Sequence, residues 1–137
     1  MKDIFAHLHY DREPLPMWSQ GRLTLLGDAA HPMLPHLGQG ANQSIEDGMA
    51  LATILERVHA TAVPAALRVY ERVRRERVAE IQQGARRNGL RVDATVTDLE
   101  ARDAELVAHA EFRKQLYSYD VVAAARAAAG EIVSFWP

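Results

Sequence analysis

Cysteine is absent from all 137 residues, which excludes disulfides, cysteine-ligated zinc and iron–sulfur clusters and suits a reducing cytoplasm. Long apolar runs are missing as well. Nothing approaches the ~20 consecutive apolar residues that span a bilayer, and Met1-Lys2-Asp3-Ile4-Phe5-Ala6-His7 has no apolar stretch long enough for a signal peptide. Nor is there an excess of charge of one sign. Sixteen basic residues stand against eighteen acidic ones, for a net charge of −2, so there is no electrostatic case for nucleic acid or an anionic membrane. Internal repeats and low-complexity linkers are also lacking. Together these absences predict a soluble cytoplasmic chain without a nucleic-acid or membrane partner.

What is present is ordinary in bulk: 48% apolar and 25% charged residues, close to the average for globular proteins, in a length that suits one domain. Ile4 to Tyr10 reads as a short strand, which Pro14 and Pro16 break. Ser19-Gln20-Gly21 reads as a turn. Leu23-Thr24-Leu25-Leu26, bounded by Gly21 and Gly27, has the look of a strand buried on both faces. A loop rich in glycine and proline runs from Gly27 to Gly40.

Helices follow. Ile45, Met49, Ala52, Ile54 and Leu55 recur at helical spacing and predict a helix from about Asn42 to His59, with Ser44, Glu46 and Asp47 in its first turn. Pro64 suits the first position of a second helix, striped by Leu67, Tyr70, Val73, Val78 and Ile81 and ended by Asn88-Gly89. Thr97-Asp98-Leu99-Glu100 is a capping-box pattern for a third helix to about Gln115. Val121 to Ala129 predicts a fourth, stopped by Gly130. The expected fold class is an α/β fragment, mainly α: one or two N-terminal strands, a glycine loop, then about four helices. One or two strands cannot cover both faces of a sheet, so the pattern is that of a piece of a larger fold.

The chemistry lies in the run Gly27-Asp28-Ala29-Ala30-His31-Pro32-Met33-Leu34-Pro35-His36-Leu37-Gly38-Gln39-Gly40-Ala41-Asn42. Gly27 ends a strand and lets a ligand approach the backbone. Asp28 stands just past the carboxyl end of that strand, where open α/β sheets bind ligands. Its ionised carboxylate accepts hydrogen bonds only, as from the hydroxyls of a sugar or polyol. Pro35 stiffens the loop. Gly38 and Gly40 free the backbone directly before a helix N-terminus, a place that stabilises negative charge. A blander reading has Asp28 capping a turn at Ala29-Ala30 and the glycines merely joining strand to helix.

This run resembles the second FAD fingerprint of the flavoprotein aromatic hydroxylases, the para-hydroxybenzoate and salicylate hydroxylase group. The likeness is strongest to the salicylate-hydroxylase branch. It rests on Asp11-Arg12-Glu13-Pro14, Trp18, Gly21 to Pro32 and Gly38-Gln39-Gly40-Ala41-Asn42-Gln43, and continues through Ile45-Glu46-Asp47, Tyr70-Glu71 and Arg74-Arg75. Leu116-Tyr117-Ser118-Tyr119-Asp120 looks like the aromatic-Asp segment near the end of these enzymes. The resemblance implies that Asp28 bonds a ribityl hydroxyl of FAD and that Pro35 lies beside the flavin ring. Backbone amides at Gly40, Ala41 and Asn42 would face the flavin N1–C2 carbonyl edge. The implied cofactor-contacting set is Gly27, Asp28, Pro35, Gly38, Gln39, Gly40, Ala41 and Asn42, with no metal ligand and no catalytic side chain. In the family, NADH or NADPH reduces FAD and oxygen is used to hydroxylate a small aromatic substrate; the cofactor carries the hard chemistry.

The departures are equally specific. No Gly-x-Gly-x-x-Gly turn is present to hold the ADP half of FAD. The implied organisation is therefore the C-terminal part of a two-domain FAD-binding fold. Residues 1–20 would end the substrate-domain segment, 21–60 form the strand–loop–helix flavin motif, and 61–137 form the helical C-terminal region. The isolated chain is expected to be inactive unless a separate N-terminal FAD-binding polypeptide or self-association completes it. The alternative is a non-catalytic helical remnant or interaction module; an epoxidase or oxidase of the same fold is a further one, since fold does not set chemistry. Among other residues, His31 reads as a structural hydrogen-bonding group. His7 and His9 read as surface or packing histidines rather than metal ligands. Arg72, Arg74, Arg75 and Arg77, interleaved with Glu71, Glu76 and Glu80, read as a solvated, ion-paired helix face. Tyr117 and Tyr119 read as packing residues before a pocket lining, and Trp18 and Phe135-Trp136-Pro137 as apolar anchors.

Overall fold

The structure is a computed structural model and describes residues 8–94 and 98–133. Two short strands, β1 (Ser19–Gln20) and β2 (Leu23–Thr24), pair antiparallel with Gln20 opposite Leu23. Gly21 and Arg22 join them. Gly21 has φ +59 and Arg22 does not have positive φ, the pattern of a type II′ hairpin turn. The hairpin corrects the sequence reading twice. Ser19 and Gln20 are strand rather than turn, and the apolar run is not buried on both faces: Leu23 is 63% exposed and Leu26 43%. A strand is covered on both faces only where other layers lie over it, and among the described residues no third strand does so. Leu8 to Tyr10 are not strand; the rest of that expected strand, with His7, lies outside the described residues.

Four helices follow: α1 (Gly40–Leu55), α2 (Val63–Asp93), α3 (Leu99–Tyr117) and α4 (Val121–Val133). They match the expected mainly-α fragment in number and order, with shifted ends. α1 begins earlier than expected, so Ser44, Glu46 and Asp47 fall beyond its first turn; the Ser44 hydroxyl does not cap but donates to the Gly40 carbonyl at 3.0 Å. Its buried face also differs. Gln43, Asp47, Ala50 and Ile54 point inward, whereas Ile45 and Met49 are 65% and 48% exposed.

α2 starts with Val63, places Pro64 in its first turn, and runs through Asn88-Gly89 to Asp93. Gly89 does not end the helix. It lies buried under the His36 imidazole, where a Cβ would come within 2.6 Å of the ring, so packing overrides its breaker tendency. The Asp98 carboxylate caps α3, accepting from the Glu100 and Ala101 amides at 3.0 and 3.1 Å; Thr97 lies outside the described residues. Gly130 does not stop α4, which continues to Val133. Phe135-Trp136-Pro137 likewise lie outside the described residues.

The core forms where α1, α2 and α4 meet beneath the hairpin, around Trp18, Ala50, Ile54, Ala66, Tyr70 and Ala125. Small side chains at Ala50, Ala66 and Ala125, all fully buried, let the helices approach closely, and a buried Ile54 adds about 1.5–3 kcal/mol. Trp18 anchors the hairpin to this core as expected, 4% exposed. α3 is different: every residue from Leu99 to Ala108 is exposed. No helix among the described residues is long and apolar enough to cross a membrane.

Candidate functional site

The Gly27–Asn42 loop runs from the hairpin to the start of α1, and its backbone is held at four places. The first is Gly27. It has φ +58, a left-handed conformation that a side chain makes costly, and a Cβ there would meet Ser44 Oγ at 2.9 Å. Its N–H donates to Asp47 Oδ2 at 2.9 Å. The Gly27 carbonyl accepts from the Ala30 and His31 amides at 2.9 and 2.8 Å, which closes a 3-10 turn over Gly27–Ala29. At the second place, the Arg12 guanidinium donates to the carbonyls of Ala29 and Ala30. At the third, Gln82 of α2 donates to the Pro32 carbonyl at 2.9 Å. At the fourth, Asn88 of α2 donates to the His36 carbonyl at 2.7 Å.

Between these moorings the outward face is open. Asp28 is exposed, and its carboxylate pairs with no other side chain among the described residues. Pro35 is exposed at the start of a second 3-10 turn, Pro35–Leu37, which ends at Gly38 with φ +62. Gln39 is the N-cap residue of α1 and is itself buried. The first intrahelical bond of α1 runs from the Gln43 amide to the Gln39 carbonyl, 2.9 Å. The amides of Gly40, Ala41 and Asn42 precede it and have no acceptor inside the helix. Because the Gly27–Ala29 turn packs on α1, Asp28 and this positive helix end belong to one rigid corner. An acceptor for hydroxyls and a set of amides without intrahelical acceptors are thus carried on two elements packed together, an arrangement suited to a polyol joined to an anionic or carbonyl-bearing group.

Behind the loop lies a buried ionic cluster. Asp47 is fully buried; Oδ2 takes His31 Nε2 at 2.6 Å in addition to Gly27, and Oδ1 takes Arg74 Nε at 2.8 Å. Arg74, also fully buried, reaches Glu46 at 2.6 Å and the Gln43 side-chain oxygen at 2.8 Å. Arg77 binds Glu46 at 3.0 and 3.1 Å, donates to the Leu116 carbonyl at 3.0 Å, and stacks 3.8 Å over the Tyr119 ring. Burial opposes the ionisation of Asp47, but the hydrogen bonds from His31, Arg74 and Gly27 and the Arg74 charge outweigh it and lower its pKa. Glu46 is lowered too, with burial again outweighed by Arg77 and Arg74. An ionised Asp47 accepts only, so His31 Nε2 carries the proton. Burial pushes the Tyr70 hydroxyl upward in pKa; it stays protonated and donates to the Leu25 carbonyl at 3.3 Å.

Several sequence expectations are settled by this geometry. His31 is a buried structural hydrogen-bonding residue, as expected. The arginine row is only partly a solvated face: Arg75 pairs with Glu71 at 3.2 Å across one helical turn, but Arg74 is interior. Arg74 meets carboxylates from two residues of α1, which offsets the cost of its burial, whereas Arg75 reaches Glu71 and the Pro16 carbonyl at the surface. Sequence reasoning therefore missed the pairing of Asp47 with Arg74. The signal was available in spacing, because Asp47 falls in the row Gln43, Asp47, Ala50, Ile54 and Arg74 in the row Leu67, Tyr70, Arg74, Val78, Ile81. Tyr119 packs under Arg77, while Tyr117 is 61% exposed with its hydroxyl 3.5 Å from Gln39 Nε2. With Asn42 and Ile45 the two tyrosines border a shallow recess of about 190 Å³ beside the α1 N-terminus. No cluster of metal-ligating side chains occurs among the described residues.

A family profile described as "FAD binding domain" matches residues 5–85. The chain is 57% identical over 89 residues to the FAD-dependent monooxygenase notI of Aspergillus sp., which takes in 61% of this chain and 21% of that protein. It is 52% identical over 73 residues to the 6-hydroxynicotinate 3-monooxygenase of Pseudomonas fluorescens, 53% of this chain and 19% of that protein. A solved salicylate hydroxylase substrate complex superposes with a TM-score of 0.74 at 40% identity, covering 85% of this chain and 29% of the other. The chain thus spans about a fifth of the length of these curated relatives. The profile runs over more than half of the chain and takes in both the Gly27–Asn42 loop and the Asp47–Arg74 pair behind it: the chain belongs to the FAD-binding-domain family of the flavoprotein aromatic hydroxylases.

Proposed function

We propose that the outward face of the loop holds the ribityl and isoalloxazine side of FAD. In this reading the chain is the C-terminal portion of a cytoplasmic FAD-dependent monooxygenase that hydroxylates a small aromatic compound, with NADH or NADPH as reductant. The single observation that carries the reading is that the turn bearing the exposed Asp28 packs on α1, whose first amides, at Gly40, Ala41 and Asn42, lack intrahelical acceptors. The donor set fits the group: Asp28 accepts from ribityl hydroxyls, and the helix end faces a carbonyl edge that becomes electron-rich on reduction. Bound FAD would supply the transfer of electrons to oxygen.

The chain's own residues have supporting tasks. Gly27 and Gly38, both in the left-handed region, let the backbone follow the cofactor closely, and Gln39 holds the α1 entry. Pro35 gives the ring a rigid apolar neighbour and excludes water from that edge. The aromatic class of substrate is supported by the relatives, a 6-hydroxynicotinate monooxygenase and a salicylate hydroxylase among them.

A second reading is an interaction module that binds no flavin. Exposed Leu23, Leu26, Ile45 and Met49 favour it, since such side chains suit association with a separate polypeptide or a second copy. Titration of the purified chain with FAD, followed by quenching of flavin fluorescence, separates the two. Saturable quenching that weakens about tenfold or more in Asp28→Ala, as expected for loss of a charge-assisted hydrogen bond, supports the cofactor reading. Quenching unchanged by Asp28→Ala removes Asp28 from the site, and no saturable quenching leaves the interaction module.

A further inference from the structure

The Gly27–His31 turn is gripped at both ends by one atom. Asp47 Oδ2 receives the Gly27 amide at the start of the turn and His31 Nε2 at its end, at 2.9 and 2.6 Å. Asp28 projects between those two points. Among the described residues nothing else accepts from the Gly27 amide, and Ser44 Oγ packs close against Gly27, 2.9 Å from where a Cβ would lie. The other Asp47 oxygen is tied to Arg74 on α2. Beside the Arg12 hold on the Ala29 and Ala30 carbonyls, the direction of the Asp28 carboxylate is therefore governed by Asp47, which is itself fully buried.

We propose that Asp47 is the positioning residue of the FAD-side turn: by holding Gly27 N–H and His31 Nε2 on one carboxylate oxygen it aims Asp28 at the cofactor, and Arg74 transmits that constraint from α2. The proposal rests on the reading that Asp28 faces FAD. It differs from a purely structural role in one respect. A structural Asp47 supports α1 and α2 as a whole, and its loss loosens the core evenly. A positioning Asp47 governs the turn, and its partial loss loosens Gly27 selectively.

The test uses the full chain and three variants, Asp47→Asn, His31→Ala and His31→Gln, each checked for helix content by far-ultraviolet circular dichroism. Amide hydrogen exchange is read at Gly27 and, as a core reference, at Tyr70; FAD affinity is read by fluorescence quenching. In Asp47→Asn, exchange at Gly27 is expected to rise about tenfold or more relative to Tyr70, the effect of a weakened buried hydrogen bond, with a comparable loss of FAD affinity. His31→Ala should do the same to a smaller degree. His31→Gln should restore most of the wild-type behaviour, because a glutamine amide nitrogen reaches the place of Nε2. Equal loosening of Gly27 and Tyr70, or no loosening at Gly27, overturns the proposal. Should wild type itself fail to bind FAD, the cofactor reading falls for the isolated chain, while the Gly27-to-Tyr70 exchange ratio still decides the role of Asp47. If Asp47→Asn does not fold, the two His31 variants decide in the same way.

Discussion

The two sides of the Gly27–Asn42 loop are built on opposite terms. Toward α1 and α2, polar side chains go inward and satisfy one another: Gln43, Asp47 and Arg74 are fully buried and joined by short hydrogen bonds. Toward the hairpin, apolar side chains go outward, with Leu23 and Leu26 exposed and the strands only two residues long. The inward side carries its own partners within the chain. The hairpin is tied to α2 on one face, through Trp18 and through the Ser19 amide and hydroxyl, but its outer face is uncovered among the described residues, and α3 with its exposed first ten residues shares that openness. What the contrast teaches is that apolarity marks burial only where another layer is available, whereas a buried charge is held where several partners converge on it, as on Asp47 and Arg74.

The contrast is broken most severely at Arg74. Arg74→Ala leaves Asp47 as a buried carboxylate without its guanidinium, while the half-buried Glu46 keeps Arg77; a loss of about 3–5 kcal/mol is expected, read as a fall in urea midpoint. Gly27→Ala comes next. The left-handed φ costs about 1–2 kcal/mol for a residue with a Cβ, and the Ser44 contact adds to it. Combining Gly27→Ala with Ser44→Ala should recover the contact part but not the φ part, which a double-mutant cycle resolves.

Acid sharpens the same comparison. Asp47 and Glu46 both have lowered pKa values in the folded chain, so their stabilisation is complete above the unfolded carboxylate values near about 4. It is lost as pH falls through the lower folded values. Urea midpoints should drop most steeply below about 4, and Arg74→Gln should flatten that drop. The smallest effects belong to the open side: Leu23→Ser or Leu106→Ser should change stability by no more than about 0.5 kcal/mol, with Leu23→Ser raising solubility.

Legibility in the sequence followed the same division. Helix number and order, the glycine loop, the Trp18 anchor and the structural role of His31 were all readable, because each depends on local pattern or a specific motif. The glycines misled: Gly89 and Gly130 read as stops, yet Gly89 is retained inside α2 because the His36 ring fills the space of a Cβ. The α1 face misled for a related reason. Ile45 and Met49 advertise a core side by hydrophobicity, while the buried side carries Gln43 and Asp47, whose partners lie about thirty residues away on α2, a pairing no local window contains. Of the candidate site, Asp28, Pro35, Gly38, the buried Gln39 and Gly40 to Asn42 were named from the motif; the inward Asp47 and Arg74 behind them were seen only as part of a pattern and as surface charge.

Trp18 has a consequence of an optical kind. Its indole is 4% exposed and lies 5.5 Å from the His31 ring and 6.1 Å from Tyr70, directly against the residue that closes the Gly27–His31 turn. Its emission should therefore be blue-shifted in the folded chain and respond to whatever disturbs His31. With Trp136 replaced by phenylalanine to silence the chain's other indole, Trp18 becomes a native fluorophore that reports the state of the turn without any added label.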